Sequence, residues 1–109
     1  MKAGTFVLRY HRSTHYFFVL RAPDEATLLI GKGYATRLEA LHAIDTLRLV
    51  AARDDQYQRL TSATGRPYFT LRAANEEVLA TSETYSTQAL REEAIEAVKR
   101  YAATAALTG

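Results

Sequence analysis

Glu25 is followed nine residues later by Tyr34, and Glu76 is followed nine residues later by Tyr85. A carboxyl and a phenol are groups that can exchange protons with a substrate, so this doubled spacing is the first place to look for chemistry. Acid–base catalysis needs such groups to converge in a pocket, and neither the spacing nor a flanking motif brings these together. The plainer expectation places each Glu in the turn after a second strand and packs each Tyr at the entry to a helix. A small-ligand enzyme would need a concave pocket holding Tyr34 or Tyr85 beside a carboxylate.

The other chemical residue types give less. His11 and His15 flank the turn "RST", and His42 stands alone in a helical stretch. Zinc takes three or four protein ligands, and the positions matching the two turn histidines in the second half are Ser62 and Arg66. Surface histidines are expected, with no metal and no cofactor. There is no Gly-x-Ser-x-Gly and no glycine-rich phosphate loop. Without cysteine there is no disulfide framework and no thiolate. No catalytic residue is assigned, and the protein is read as a non-enzyme.

These residues sit in a chain that is written twice. At an offset of 51 residues, Phe6–Ala51 aligns with Tyr57–Ala102 without a gap. The identical pairs are Phe18/Phe69, Leu20/Leu71, Arg21/Arg72, Ala22/Ala73, Glu25/Glu76, Leu28/Leu79, Tyr34/Tyr85, Thr36/Thr87, Ala43/Ala94, Ile44/Ile95 and Ala51/Ala102. Self-similarity at a fixed period is the mark of a repeated unit, and the apolar majority says that the unit is first of all a core.

In each copy three alternating runs precede a run of helical period. The strands are expected near 5–11, 15–22, 27–32, 56–62, 67–73 and 77–82. Thr36 with Glu39 forms a capping box that starts the first helix, whose stripe Ala40, Ala43, Ile44, Leu47, Val50 and Ala51 recurs as Ala94, Ile95, Val98, Tyr101 and Ala102. Units of about 50 residues bury too little surface to stand alone. The predicted fold class is therefore α+β: a tandem repeat of two strand-strand-strand-helix units, about 5–53 and 56–104, sharing one antiparallel sheet with both helices on one face. The span 1–109 reads as a single domain.

At 109 residues, 48% hydrophobic and 24% charged, the composition suits a soluble globular protein. Apolar runs such as "YFFVL" are far shorter than the roughly 20 residues of a membrane-spanning helix, and the start lacks the apolar stretch of a signal peptide. The cytoplasm is the expected location, with no membrane partner. Net charge is +2, from eleven Arg and three Lys against twelve acidic residues. The excess lies in residues 1–51, with seven basic and four acidic groups plus all three histidines.

The second copy also carries a family resemblance. Phe69-x-Leu71-Arg72-Ala73-Ala74-Asn75, then Ser82-Glu83-x-Tyr85-Ser86, then Ile95-Glu96-x-Val98-Lys99 resemble the unit of the YegP-like family, small and mostly bacterial proteins of unknown function, often with tandem copies. The resemblance implies an α+β fold in which two strand-strand-strand-helix units, or two subunits with one each, join in one sheet, and it brings no catalytic residue. Glu76 stands where such relatives usually have Gly, in a tight turn of positive φ. Thr84 stands for a second Gly, which Gly33 keeps in the first copy.

Two surfaces follow as binding candidates. The sheet face opposite the core is expected to show Phe17, Val19 and Arg21 with Tyr68, Thr70 and Arg72, near Arg9, His11 and Arg59. Aromatic and arginine side chains on an open sheet can stack bases and hold phosphates, although mixed faces are also common where a sheet simply meets water. The other candidate is the back of the first helix, where Leu38, Leu41, Leu49 and Ala52 lie beside His42 and Asp45. The second helix has Ala89, Glu92, Arg100 and Ala103 there, with Glu93 and Glu96. That asymmetry makes self-association as a homodimer, or a protein partner, the leading expectation, through Leu38, Leu41, His42, Asp45 and Leu49. Single-stranded nucleic acid on the sheet face is the alternative. A third arrangement folds the tail "ATAALTG", with Leu107, back over these leucines.

Overall fold

Alternating burial and helical stripes build the chain in the order β1 (Thr5–His11), β2 (His15–Arg21), β3 (Thr27–Gly31), α1 (Arg37–Val50), a 3-10 turn (Asp54–Gln56), β4 (Tyr57–Thr61), β5 (Pro67–Arg72), β6 (Val78–Thr81), α2 (Gln88–Tyr101) and β7 (Ala106–Thr108). The structure, a computed structural model, describes residues 4–109. Residues 1–3 of the expected span lie outside the described residues. All strands join one sheet in the order β4-β5-β6-β3-β2-β1-β7.

The two halves follow the same path at the 51-residue offset. Phe6 pairs with Leu20 as Tyr57 pairs with Leu71, and a bulge falls between Leu20 and Arg21 as between Leu71 and Arg72. The turns after the bulges also match. Asp24 Oδ1 accepts from the Ala26 N–H at 3.1 Å, and Asn75 Oδ1 from the Glu77 N–H at 3.0 Å. Such side-chain acceptors make the turn locally self-sufficient. Glu25 and Glu76 take φ of 69° and 67°. The left-handed turn is therefore kept although neither position is glycine.

One core lies between the sheet and both helices. Phe6, Phe18, Leu20, Phe69 and Leu71 from the sheet meet Ala40, Ile44 and Leu47 of α1 and Ile95 and Val98 of α2, all close to fully buried. The hydroxyls of Thr36 and Thr87 accept from the N–H groups of Glu39 and Leu90, each at 3.1 Å, and start the two helices. The Glu39 carboxylate makes no return bond among the described residues, so half of the expected capping box forms. Tyr57 Oη donates to the Ala51 carbonyl at 2.5 Å, and Arg48 Nη1 donates to the Ala102 carbonyl at 2.9 Å. Each half thus closes the helix end of the other, and the arginine also suits the negative end of α2.

Two expectations are corrected. The sheet is mixed, because β7 runs parallel to β1, Leu107 beside Phe6. The tail consequently extends the sheet edge and does not cover the back of α1. Its recruitment follows from geometry: α2 returns the chain beside the free edge of β1, where the Ala106 N–H bonds to the Gly4 carbonyl at 3.1 Å.

Left-handed backbone costs a residue other than glycine about 1–2 kcal/mol, and glycine forfeits about 0.5–1 kcal/mol of chain entropy. Glu25→Gly and Glu76→Gly should therefore each stabilise the protein by about 0.5–1 kcal/mol. Urea unfolding should show a higher midpoint at unchanged slope; a lower midpoint would show that the glutamate side chains hold the turns.

Candidate functional site

The open sheet face is set by strand register. Arg9 pairs with Phe17, Val7 with Val19 and Thr5 with Arg21, so these six share the side away from the helices. Gln58, Leu60, Tyr68, Thr70 and Arg72 hold the same side on β4 and β5, and Ile30 and Thr81 join the halves between them. Antiparallel order places Phe17 and Arg72 toward one end of the strands and Tyr68 and Arg21 toward the other.

Not every residue expected on this face is presented by it. Val19 and Thr70 are only 8% and 6% exposed, shielded by longer neighbours, and Thr70 Oγ1 lies 3.5 Å from Gln58 Oε1. Phe17, Arg21, Tyr68 and Arg72 are half-buried, while Arg9 and His11 are exposed. Arg59 belongs to the other side. It pairs in register with the core residue Phe69 and binds Glu92 at 2.8 Å and Asp54 at 3.1 Å.

Charge is divided across the sheet. None of the seven described strands contains Asp or Glu. Every ion pair among the described residues involves helices, loops or Arg59, and none involves Arg9, Arg21 or Arg72. Arg21 and Arg72 each have a buried Nε without a hydrogen-bond partner among the described residues. His11 and His15 face each other across their hairpin, and His11 Nδ1 meets Ser13 Oγ at 2.7 Å. Among the described residues no group of three or more His, Cys, Asp or Glu is placed to hold a metal.

On the back of α1, Leu38 and Leu49 are 76% and 79% exposed, with His42 and Asp45 exposed between them. Leu41 turns partly inward and packs on the core. On α2 the corresponding face is polar, and Glu92 is engaged by Arg59 and Arg91.

Neither Glu25 nor Glu76 comes together with the tyrosine of its own half. A different carboxylate does. A cleft of about 770 Å³ between α1 and the β5–β6 turn is lined by Tyr34, Lys32, Glu77, His42 and Leu38. Lys32 pairs with Glu77 across it, and the lysine Nζ lies 5.6 Å from the Tyr34 ring centre. Tyr34 Oη is buried, with no hydrogen-bond partner among the described residues. Burial, then the charge of Glu77, raises the Tyr34 phenol above its ordinary value, while the hydrogen bond from Lys32 lowers the Glu77 carboxyl. The phenol stays protonated at neutral pH and can donate. Lys32 and Glu77 come from different halves, and nothing local in the sequence pairs them. A second cleft of about 550 Å³ between α2 and the β2–β3 turn holds Tyr85, whose phenol is also raised by burial and then by Glu83.

The fold is an α+β scaffold with one mixed seven-stranded sheet and two helices on one face. A family model described as a domain of unknown function, DUF1508, matches residues 62–108. The UPF0339 protein YegP of Escherichia coli K12 is 32% identical over 97 residues, spanning 89% of this chain and 88% of that one. A UPF0339 protein of Bordetella pertussis is 36% identical over 97 residues, covering 89% and 86%. The solution NMR structure of E. coli YegP, a protein of unknown function, matches with a TM-score of 0.92 at 29% identity over 99% of this chain and 93% of that one. That of a UPF0339 protein from Shewanella oneidensis gives 0.91 at 25% identity, covering 98% and 91%. The chain belongs to the YegP-like UPF0339 family.

A buried hydroxyl without a partner costs about 1–3 kcal/mol of desolvation. Tyr34→Phe should therefore raise stability, by about 1 kcal/mol and a melting shift of about 4–8 °C. A lower melting temperature in calorimetry would mean that the hydroxyl is satisfied in the folded protein.

Proposed function

We propose that this is a non-catalytic, cytoplasmic protein that binds single-stranded nucleic acid on its open sheet face. In the same reading the chain is one domain built as a tandem repeat of units at about 5–53 and 56–104. The observation that carries the function is the absence of carboxylates from all seven described strands, with Arg9, Arg21 and Arg72 on one face in no ion pair among the described residues. Phe17 and Tyr68 offer rings at opposite ends of the same face, three strand spacings or about 14 Å apart across the sheet. Bases stack on such rings with little regard to sequence, and guanidinium groups hold the phosphates between them. An open sheet suits an unpaired strand because its bases can lie flat on it.

The affinity of a labelled single strand should fall steeply with salt, and Arg21→Ala or Arg72→Ala should reduce the logarithmic salt slope by about 0.7 each. Phe17→Ala or Tyr68→Ala should weaken binding about tenfold, the scale of one lost stack. Absence of binding at low salt would overturn the reading.

A second reading is self-association along the back of α1, favoured by the order of its exposed residues. Leu38, His42, Asp45, Leu49 and Ala52 follow the alternating four- and three-residue spacing of a coiled-coil seam. Run against a second copy in the opposite direction, that seam sets Leu38 on Leu49 and His42 on Asp45, a self-complementary arrangement suited to a two-fold pair. Sedimentation across a concentration series should detect a dimer, which Leu38→Glu with Leu49→Glu abolishes without unfolding the monomer. A wild-type protein that is monomeric at its highest soluble concentration would exclude this reading.

A further inference from the structure

The two clefts share a frame. Tyr34, Ala43, Ala73 and Leu79 in the first occupy the places of Tyr85, Ala94, Ala22 and Leu28 in the second, at the same offset and with the same residue types. Each cleft is composite, with the tyrosine and helix of one half facing the turn of the other. What differs is the polar equipment. Lys32 and Glu77 of the first cleft correspond to Glu83 and Ala26, and His42 and Thr46 correspond to Glu93 and Ala97. Among the described residues no ion pair links the walls of the second cleft.

We propose that the first cleft binds a zwitterion of amino-acid chemistry, a free amino acid with an apolar side chain or a short peptide of such residues. Lys32 and Glu77 are 44% and 52% exposed in their side chains. A pair so exposed contributes little to stability, so a ligand can exchange with it at small expense. A carboxylate takes the ammonium of Lys32, whose Nζ lies 5.6 Å from the Tyr34 ring centre. A ligand ammonium takes the carboxylate of Glu77. The apolar side chain lies on Leu38, Ala43 and Leu79. A simple anion would confront Glu77 and Glu39, and a simple cation would confront Lys32; a zwitterion satisfies both signs. The cleft volume of about 770 Å³ falls within the usual range for small-ligand sites and leaves room for a dipeptide. The site is on the helix side of the sheet, so it stands or falls apart from the nucleic-acid reading.

The full chain is titrated with leucine, leucyl-leucine, N-acetylleucine, leucinamide and N-acetylleucinamide, followed by amide NMR shifts and calorimetry. Leucine or leucyl-leucine is expected to bind with a dissociation constant of about 1 mM or tighter, moving the amides of Gly33, Tyr34 and Ala73 and leaving those of Phe17 and Tyr68. Blocking either charge of the ligand should weaken binding about tenfold, the scale of one charge-assisted hydrogen bond. Lys32→Met should erase the preference for leucine over leucinamide, and Glu77→Gln the preference for leucine over N-acetylleucine. Both variants should keep the fold, and Tyr85→Phe in the second cleft should leave binding unchanged. The proposal is overturned if neither zwitterion binds at about 10 mM. It is equally overturned if N-acetylleucinamide binds as well as leucine, or if Lys32→Met and Glu77→Gln change nothing.

Discussion

The antiparallel join of β3 to β6 is the contact on which the remaining structure depends. It is short, with Ile30 opposite Thr81 and Gly31 opposite Ala80. Ile30 and Thr81 are themselves partners at the 51-residue offset, so the approximate two-fold relation between the halves passes through that pair. Gly31 makes the join possible on the core side, because a side chain there would run into the ring of Phe18. At the matching place Ser82 is tolerated and useful, its hydroxyl accepting from the Phe69 N–H at 2.9 Å. Without this join there would be two sheets of about half the size, each with one helix and too little buried surface to hold it. With it, the helices share a single core, and each cleft acquires a wall from either half.

The same join explains how charge is distributed. Once both helices occupy one face, the acidic residues on helices and turns lie around that face or at the sheet ends, as Asp24 and Glu25 do beside Arg21, and Arg9, Arg21 and Arg72 on the other face make no ion pair among the described residues. Arg59 shows the rule by exception. It projects to the helix side, and there it finds Asp54 and Glu92, with Lys99 binding the same Asp54 at 2.8 Å. Those carboxyls are held below their ordinary values, Asp54 chiefly by hydrogen bonds from Lys99 and Arg59, and Glu92 by those from Arg59 and Arg91 against the opposing effect of burial. Arg21 and Arg72 are excluded from that network by the parity of strand side chains alone.

What the sequence discloses is what local periodicity controls. The six longer strands, both helices and the core stripes follow from alternation or helical spacing, and the Thr36 cap from its residue type before the first helix; the strands appear within a residue or two of the expected bounds. β7 was not legible, because three residues carry no period and its parallel pairing depends on where α2 delivers the chain. The burial of Val19 and Thr70 on a face open to solvent depends on the length of neighbouring side chains in other strands. Leu41 sits between the inner and outer sides of α1, and a wheel drawn for an isolated helix cannot show that the core reaches that far. Least legible was the Lys32–Glu77 pair, 45 residues apart and made only when the halves meet.

The offset also gives a way to separate packing from other roles. Where a pair is identical and both members touch the core, as Phe18 with Phe69 or Ile44 with Ile95, packing accounts for it. Glu25 and Glu76 are different, since both hold a left-handed turn that glycine would hold with less strain. Tyr34 and Tyr85 are different again, because their rings pack while their hydroxyls lie beside clefts with unlike linings. A phenylalanine would supply the packing without a buried polar group, and Phe6 takes that form opposite Tyr57, whose hydroxyl does find a carbonyl. The Tyr34 hydroxyl is thus the group in the first cleft that the fold alone does not explain, and its surroundings differ from those of Tyr85 in holding Lys32 and Glu77 on opposite walls, where the matching positions are Glu83 and Ala26.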